Sequence, residues 1–368
     1  LQALKSNTSI ESLLKNRLPG DEIVNPSPGV YKSEWMDLSK YISFKPYDAG
    51  QTIRSMFGIG GSGNISKSVS HMAVERGIDL TLLNRGKTQV DIPGTRWLTA
   101  DFHDLAQTQN VLGNETFDVV VDWIAFTPQD IERDLALFAG KTGQFVFISS
   151  ASAYQKPPSS IIIRESTPLH NPFWQYSRNK IACEERLMQA YREQGFPMTI
   201  VRPSHTYDKF IPIAVGDWDK FTIVDRMRKG LPVIVHGDGT SLWTVTHAED
   251  FAVGFLGLFG HPGTLGQAFH ITSDERLTWN DIYRAIGAAV GVEPKIVHIA
   301  SEFIVKVAPD YLGTLIGDKT WSVIFDNSKI KATVPEYQAV IPFHKGIKRT
   351  IAQFEADPER CKVDAADH

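Results

Sequence analysis

FGIGGSGNIS, residues 57–66, carries the spacing Gly60-x-x-Gly63 of a phosphate-cradling loop, and places Ser66 where that pattern asks for a third glycine. A short apolar strand ends at Ile59, and ISKSVSHMAVERG after the loop has helical spacing and stops at Gly77. A strand–glycines–helix context is what the dinucleotide fingerprint requires. Gly60 permits the tight turn and Gly63 a close approach of backbone to pyrophosphate. Gly61, Ser62, Asn64 and Ile65 complete a cradle whose helix N-terminus offers free N–H groups to an anion. The third glycine serves tight helix–strand packing, and serine is the mildest replacement. A glycine pattern alone also fits a plain turn, so the rest of the chain has to decide.

Outward from the loop, strands and helices alternate. DLTLLNR and TRWLTAD read as strands, DLAQTQNVLG as a helix, and FDVVVDWIA as a strongly apolar strand. TPQDIERDLALFAG follows as a helix capped by Thr127, then the strand GQFVFISS, the long helix NKIACEERLMQAYREQG and the strand PMTIVRP. Apolar strands alternating with helices imply an α/β fold, a doubly wound parallel sheet of Rossmann type with ligands at the carboxyl ends of the strands. Residues 51–202 are expected to form this dinucleotide-binding domain. Residues 203–368 mix loops, short strands (VIVHG, QAFHIT) and helices (WNDIYRAIGAAVG, SEFIVKVAPDYL), and read as a smaller, mostly helical substrate-binding domain with some segments returning to the sheet. Residues 1–50 are turn-rich yet aromatic and read as an N-terminal extension.

Composition narrows the function. Of 368 residues, 42% are hydrophobic and 22% charged, and 38 basic against 42 acidic side chains leave a net charge of −4. That balance does not favour nucleic acid or an anionic membrane as partner. Cys183 and Cys361 are the only cysteines and form no CxxC pattern, and no His, Asp or Glu cluster has metal spacing, so neither a disulfide framework nor a metal is expected. The longest apolar stretch, FAVGFLGLFG from Phe251, is too short for a membrane span, and no secretory signal is visible; a cytoplasmic protein is expected.

The second strand ends in LLNRG, with Asn84 and Arg85 where NAD-binding folds place a carboxylate. A carboxylate binds ribose hydroxyls and repels a 2′-phosphate, whereas a guanidinium pairs with that phosphate, so NADP is favoured over NAD. As a bland alternative, Arg85 is a solvated loop residue. Asp101 and Phe102 close the third strand and suit an adenine, the carboxylate for its amino group and the ring for its face; alternatively Asp101 caps a helix.

Tyr176 and Lys180 in FWQYSRNKIACEE lie four residues apart at the start of a helix, which puts phenol and ammonium on one face. A nearby ammonium stabilises phenolate and lowers the tyrosine pKa towards proton exchange. FVFISSASAY ends a strand with Ser149 and Ser150, placed to hydrogen-bond a substrate oxygen.

Taken together, GGSGNIS, ADF, VVVDWIAF, FISSASAY, YSRNK and VRPSHTY make the chain resemble the extended short-chain dehydrogenase/reductase superfamily, in particular its NAD(P)-dependent epimerase/dehydratase family, from about Thr52 to Phe354. The resemblance implies Tyr176 as general acid/base, Lys180 as the residue that lowers its pKa and holds the nicotinamide ribose, and Ser150 as the group orienting the reacting oxygen. It implies Ala125 and its neighbours along the cofactor, Pro203 and Ser204 beside the nicotinamide carboxamide, and a homodimer.

The chain also departs from that pattern. Where sugar-nucleotide members carry GDGxQxRDFVHVxD, whose arginine clamps the substrate diphosphate, this chain reads GDGTSLWTVTHAED from Gly237, with Trp243 and Thr244 for the Arg-Asp pair. Tryptophan cannot replace a bidentate guanidinium; it stacks on a ring or fills an interface. Arg226 or Arg228 could serve instead. Trp123, Phe126, Trp174, Tyr207, Trp218 and Trp243 form the expected pocket wall, with His205 facing it and His247 structural. Trp123, His205, Tyr207 and Trp243 are the candidate substrate contacts. Ala151 and Ser152 after Ser150, in place of the acidic pair many dehydratases need, argue against 4,6-dehydration. The expected activity is hydride transfer at a secondary alcohol or ketone of a sugar, nucleotide sugar or related metabolite. The second reading, from superfamily relatives that bind chloroplast stem-loop RNA and share an arginine after the second strand, is a cofactor-binding protein without turnover.

Overall fold

Phe145 and Phe147 point into one apolar layer while their neighbours Val146 and Ile148 point into another, and all four are buried. A strand with both faces apolar is stable only between two helical layers. Met56 against Phe57 and Ile59 divides in the same way. A computed structural model of the chain describes residues 53–86 and 92–363; the expected extension over 1–50 lies outside the described residues.

Numbered along the chain, the strands of the main sheet are β1 (Ser55–Ile59), β2 (Asp79–Asn84), β3 (Arg96–Thr99), β4 (Phe117–Asp122), β5 (Thr142–Ile148), β6 (Met198–Pro203) and β7 (Gln267–Ile271). Their order is β7-β6-β5-β4-β1-β2-β3, and every pair is parallel. The chain reverses direction across the sheet between β1 and β4, and a crevice opens at the carboxyl ends of strands at such a point. Helices α1 (Asn64–Glu75), α2 (Leu105–Leu112), α3 (Pro128–Phe138), α4 (Gln175–Gln194) and α5 (Ala248–Gly257) follow the strands. Val69 and Ala73 of α1 and Phe251 and Phe255 of α5 cover one face; Ile131 and Leu135 of α3 and Leu187 of α4 cover the other.

QAFHIT, read as a short strand beyond the alternation, is β7, pairing over five residues with β6 as the seventh strand. Phe269 and Ile271 are buried on the α1/α5 side, which is why it belongs there. A separate apolar layer holds α6 (Trp279–Ala289) and α7 (Phe343–Glu355) around Trp243, Trp279, Ile282 and Phe343. SEFIVKVAPDYL does not run as one helix. It breaks after Val307 ahead of Pro309, resumes at Tyr311–Thr314 and continues as a π-helical turn, Leu315–Lys319. No helix among the described residues is long and apolar enough to cross a membrane.

A buried ion pair sets the register of the elements that carry the candidate site. Glu184, one turn beyond Lys180 on α4, accepts from Arg202 Nε at 2.9 Å and from its Nη2 at 2.5 Å. It also accepts from Ser149 Oγ at 2.5 Å. Both charged side chains are buried, and the guanidinium lies 4.9 Å from the Tyr154 ring centroid. Removing one partner strands the other charge away from water, at a cost of about 3–5 kcal/mol. Arg202→Met is therefore expected to lower the urea unfolding midpoint by that equivalent, and the double variant Arg202→Met/Glu184→Leu to recover part of it. A single variant as stable as the wild type would show the pair does not hold these elements.

Candidate active site

The glycine loop is built to exclude side chains. Gly60 (φ +91°) and Gly61 (φ +100°) occupy left-handed backbone, and a Cβ on Gly61 would lie 2.7 Å from Leu82 Cδ2. Ser66 has a use beyond packing: its Oγ accepts the Gly63 N–H at 2.8 Å and caps α1. The N–H groups of Asn64 and Ile65, in the first turn, have no acceptor within the helix. That donor set, beside backbone no side chain obstructs, fits the pyrophosphate of a dinucleotide. Asn64's side chain is engaged elsewhere, donating to Thr206 O at 2.7 Å and accepting from Lys209 N at 2.8 Å, so it ties the loop to the segment after β6.

A cavity of about 620 Å³ opens along this loop. Gly60, Gly61, Ser62, Gly63, Asn64, Ile65, Trp123, Ser150, Tyr176, Lys180, Pro203, Ser204, His205 and Trp243 all line it. Of the expected aromatic wall, Phe126, Trp174 and Trp218 line it too. Tyr207 does not: it is buried in the core, edge-on to His247 at 5.2 Å and to Phe343 at 5.1 Å. Thr206 lines the wall in its place, so His205 and Tyr207 do not share a face as a regular strand would have them. His247 caps α5 by accepting from Glu249 N, and Asp250 pins the chain at Val340 and Ile341. Neither arginine proposed as a substitute clamp reaches the cavity. Arg226 donates to Pro232 O, and Arg228 pairs with Glu355.

Asn84, Arg85, Asp101 and Phe102, expected to meet the adenosine, do not line this cavity. Asn84 Oδ1 accepts from Gly86 N at 2.8 Å, turning the chain after β2 and leaving Arg85 exposed. Asp101 is exposed and does not cap α2; Asp104 does, accepting from Gln107 N at 2.9 Å. Phe102 departs from expectation. Only 2% exposed, it packs among the residues under α3 with the Arg133 guanidinium 4.4 Å above its ring, so that face is not offered to an adenine.

Behind β5, Ser149 and Ser150 part company: Ser149 is spent on Glu184, while Ser150 Oγ stays at the cavity, 2.8 Å from Ser152 Oγ. Lys180 Nζ donates to Ala125 O at 2.6 Å and Ile148 O at 2.7 Å, and lies 5.7 Å from the Tyr176 ring centroid. Asp122 shapes the Ala125 segment by accepting from Ile124 and Ala125 N–H groups, and burial and the charge of Asp122 push the neighbouring Asp134 carboxyl well up. Expected to be lowered by Lys180, the Tyr176 phenol is instead pushed up to about 12 by burial, with Ser150 pulling it down and Asp318 adding to the rise. Burial also drives Lys180 down to about 8. His205 is held well below its ordinary value by burial and by Lys319.

Asp318 and Lys319, on the π-helical turn, were not expected at the site, yet both line the cavity. The turn sits close because Gly313 and Gly317 leave room for Trp174; a Cβ on Gly313 would lie 2.2 Å from Trp174 Cδ1. The legible sign was a Gly-Asp-Lys run inside an otherwise apolar helix.

Residues 59–271 match the NAD dependent epimerase/dehydratase family. The chain belongs to that family. It is an enzyme of that family. Among curated relatives, it is 27% identical over 268 residues to the chloroplast stem-loop binding protein of 41 kDa b of Arabidopsis thaliana, covering 68% of each chain. It is 22% identical to the 2′-dehydrokanamycin reductase of Streptomyces kanamyceticus, over 76% of this chain and 78% of that one. The fold is similar to the dTDP-glucose 4,6-dehydratase of Bacillus anthracis, solved in complex with NAD, with a TM-score of 0.66 at 17% identity over 83% of this chain and 98% of that one.

The lowered Lys180 value has a consequence for stability. Below about pH 8 the folded chain carries a desolvated ammonium and its cost is fully present. As the pH rises further the folded chain sheds that proton, while the unfolded chain keeps it up to about 10.5. Stability therefore rises with pH relative to a variant without the group, by about 2–3 kcal/mol between about pH 8 and 10. Urea unfolding of wild type and Lys180→Met across that range checks this; a constant difference would refute it.

Proposed function

We propose that the protein is an NADP(H)-using oxidoreductase that moves hydride to or from a secondary alcohol or ketone of a sugar or related polar metabolite, with Tyr176 moving the proton. The reading rests on one observation: Ser150, Tyr176 and Lys180 line the same cavity as the glycine loop. The backbone of Gly60–Ile65 and the Lys180 ammonium would hold the dinucleotide, and Arg85 a 2′-phosphate. A bound nicotinamide supplies the hydride donor or acceptor.

In the direction of reduction, Tyr176 enters as a neutral phenol, its protonated form favoured by burial. It gives its proton to the oxygen as charge develops there, with Ser150 holding that oxygen in place. Lys180, on the same face of α4, stabilises the phenolate left behind. In the reverse direction the phenolate takes the proton. Ala151 and Ser152 line the cavity where a dehydratase needs acidic groups, which supports oxidation–reduction or epimerisation over 4,6-dehydration.

Tyr176→Phe is expected to lower kcat about 10²–10⁴-fold while leaving NADP⁺ affinity within a few-fold. Absorbance at 340 nm with a panel of sugars and sugar derivatives measures it; unchanged turnover would remove Tyr176 from the role. Arg85→Ala is expected to weaken NADP⁺ about tenfold or more and NAD⁺ hardly at all, read by titration of both cofactors. Equal losses would remove Arg85 as the discriminating residue. The relative named for stem-loop binding supplies a second reading, a cofactor-binding protein that engages RNA. Saturable binding of a stem-loop RNA at physiological salt, with no turnover of any sugar, would establish that reading and overturn the first.

A further inference from the structure

Nearby, two ammonium groups share one carboxylate. Lys156 Nζ lies 3.5 Å from Asp318 Oδ1 and Lys319 Nζ lies 3.8 Å from Asp318 Oδ2, and the lysine side chains are 2% and 4% exposed. With both lysines charged, two positive charges meet one negative, and burial and Lys156 push Lys319 below its ordinary value while Asp318 holds it up. Lys319 lies at the cavity, 5.3 Å from the centroid of the Trp218 ring, and its spacing to Asp318 is longer than a hydrogen bond. A buried, uncompensated ammonium is costly unless an anion meets it.

Two further polar residues stand at the same wall. Trp243 Nε1 and His205 Nδ1 are buried without a hydrogen-bond partner, and both residues line the cavity. Trp243 as a whole is 3% exposed. Such atoms lack a partner that a bound ligand or water can supply. Trp218 and Trp174 line the same cavity, Trp218 against His205 and Trp174 against Tyr176. No arginine lines the cavity among the described residues, so a bidentate diphosphate clamp is missing.

We propose that Lys319, with His205 and Trp243 beside it, forms a subsite for one carboxylate, so that the substrate is a sugar acid rather than a nucleotide sugar. The proposal rests on the oxidoreductase reading of the same site. A single excess positive charge matches a monoanion; a phosphate dianion would overshoot it, and a nucleoside diphosphate would find no clamp.

The test titrates the NADP⁺-loaded full chain with uronic and aldonic acids, their neutral parent sugars, sugar 1-phosphates and UDP-sugars, reading quenching of tryptophan fluorescence. At least one sugar acid should bind saturably, about tenfold to a hundredfold more tightly than its neutral parent. Lys319→Gln should remove that preference while NADP⁺ affinity stays unchanged, and Lys319→Arg should keep most of it, which separates lost charge from lost folding. The proposal is overturned if no acid binds, if acid and neutral parent bind alike, if phosphates or UDP-sugars bind in preference, or if Lys319→Gln leaves the acid preference intact. Tyr176→Phe should bind the acid as wild type does and fail to turn it over. A variant that binds and still turns over would sink the catalytic reading and leave the carboxylate subsite standing.

Discussion

The Arg202–Glu184 ion pair is the constraint on which the rest of the site depends. Glu184 belongs to the helix carrying Tyr176 and Lys180, Arg202 to the strand leading into Pro203 and Ser204, and Ser149 to the strand leading into Ser150. One carboxylate therefore ties the ends of two neighbouring parallel strands to the helix that carries Tyr176 and Lys180. Charged hydrogen bonds depend on distance and direction more strongly than apolar contacts do, so they fix register where packing alone would permit slippage. Arg202 extends the hold by donating to Glu165 O and lying across Tyr154.

Around that anchor the polar groups divide into two kinds. Those that shape the frame have their hydrogen bonds within the protein: Asn64 to Thr206 and Lys209, Asp122 to the Ile124–Ala125 turn, Ser204 to Thr244 O. Those at the cavity are underused or strained in charge: a phenol pushed up by burial, an ammonium pushed down, and indole and imidazole nitrogens without partners. Perturbed groups gathered in one cleft are the physical signature of a site that ligand completes.

Much of this was legible in the chain itself, because local signals decided it. The strand–glycine–helix order set the loop between β1 and α1, the four-residue spacing put Tyr176 and Lys180 on one turn, and apolar runs gave a sheet covered on both faces. What sequence could not carry was which side of a short element faces the cavity. Tyr207 and Phe102 are aromatic and near the site in sequence, yet both are buried in core layers. Desolvation is equally illegible: a YxxxK spacing implies a lowered phenol, but enclosure raises it. Asp318 and Lys319 lie more than a hundred residues from the other cavity groups in the amino-terminal half, and only the folded chain brings them there.

Asn171 carries a consequence of its own. Its Nδ2 donates both to Ser152 O at 2.8 Å and to Gly317 O at 2.7 Å, bridging the serine loop and the π-helical turn with a single buried amide. Two segments that differ in origin along the chain are thereby joined as one rigid block. Evolution of a new preference at this cavity cannot shift the turn as a body without also moving the serine loop. The freedom left to it is to exchange side chains in place, so divergence among proteins built this way should collect at positions such as 319 and 243 while the backbone beneath them stays put.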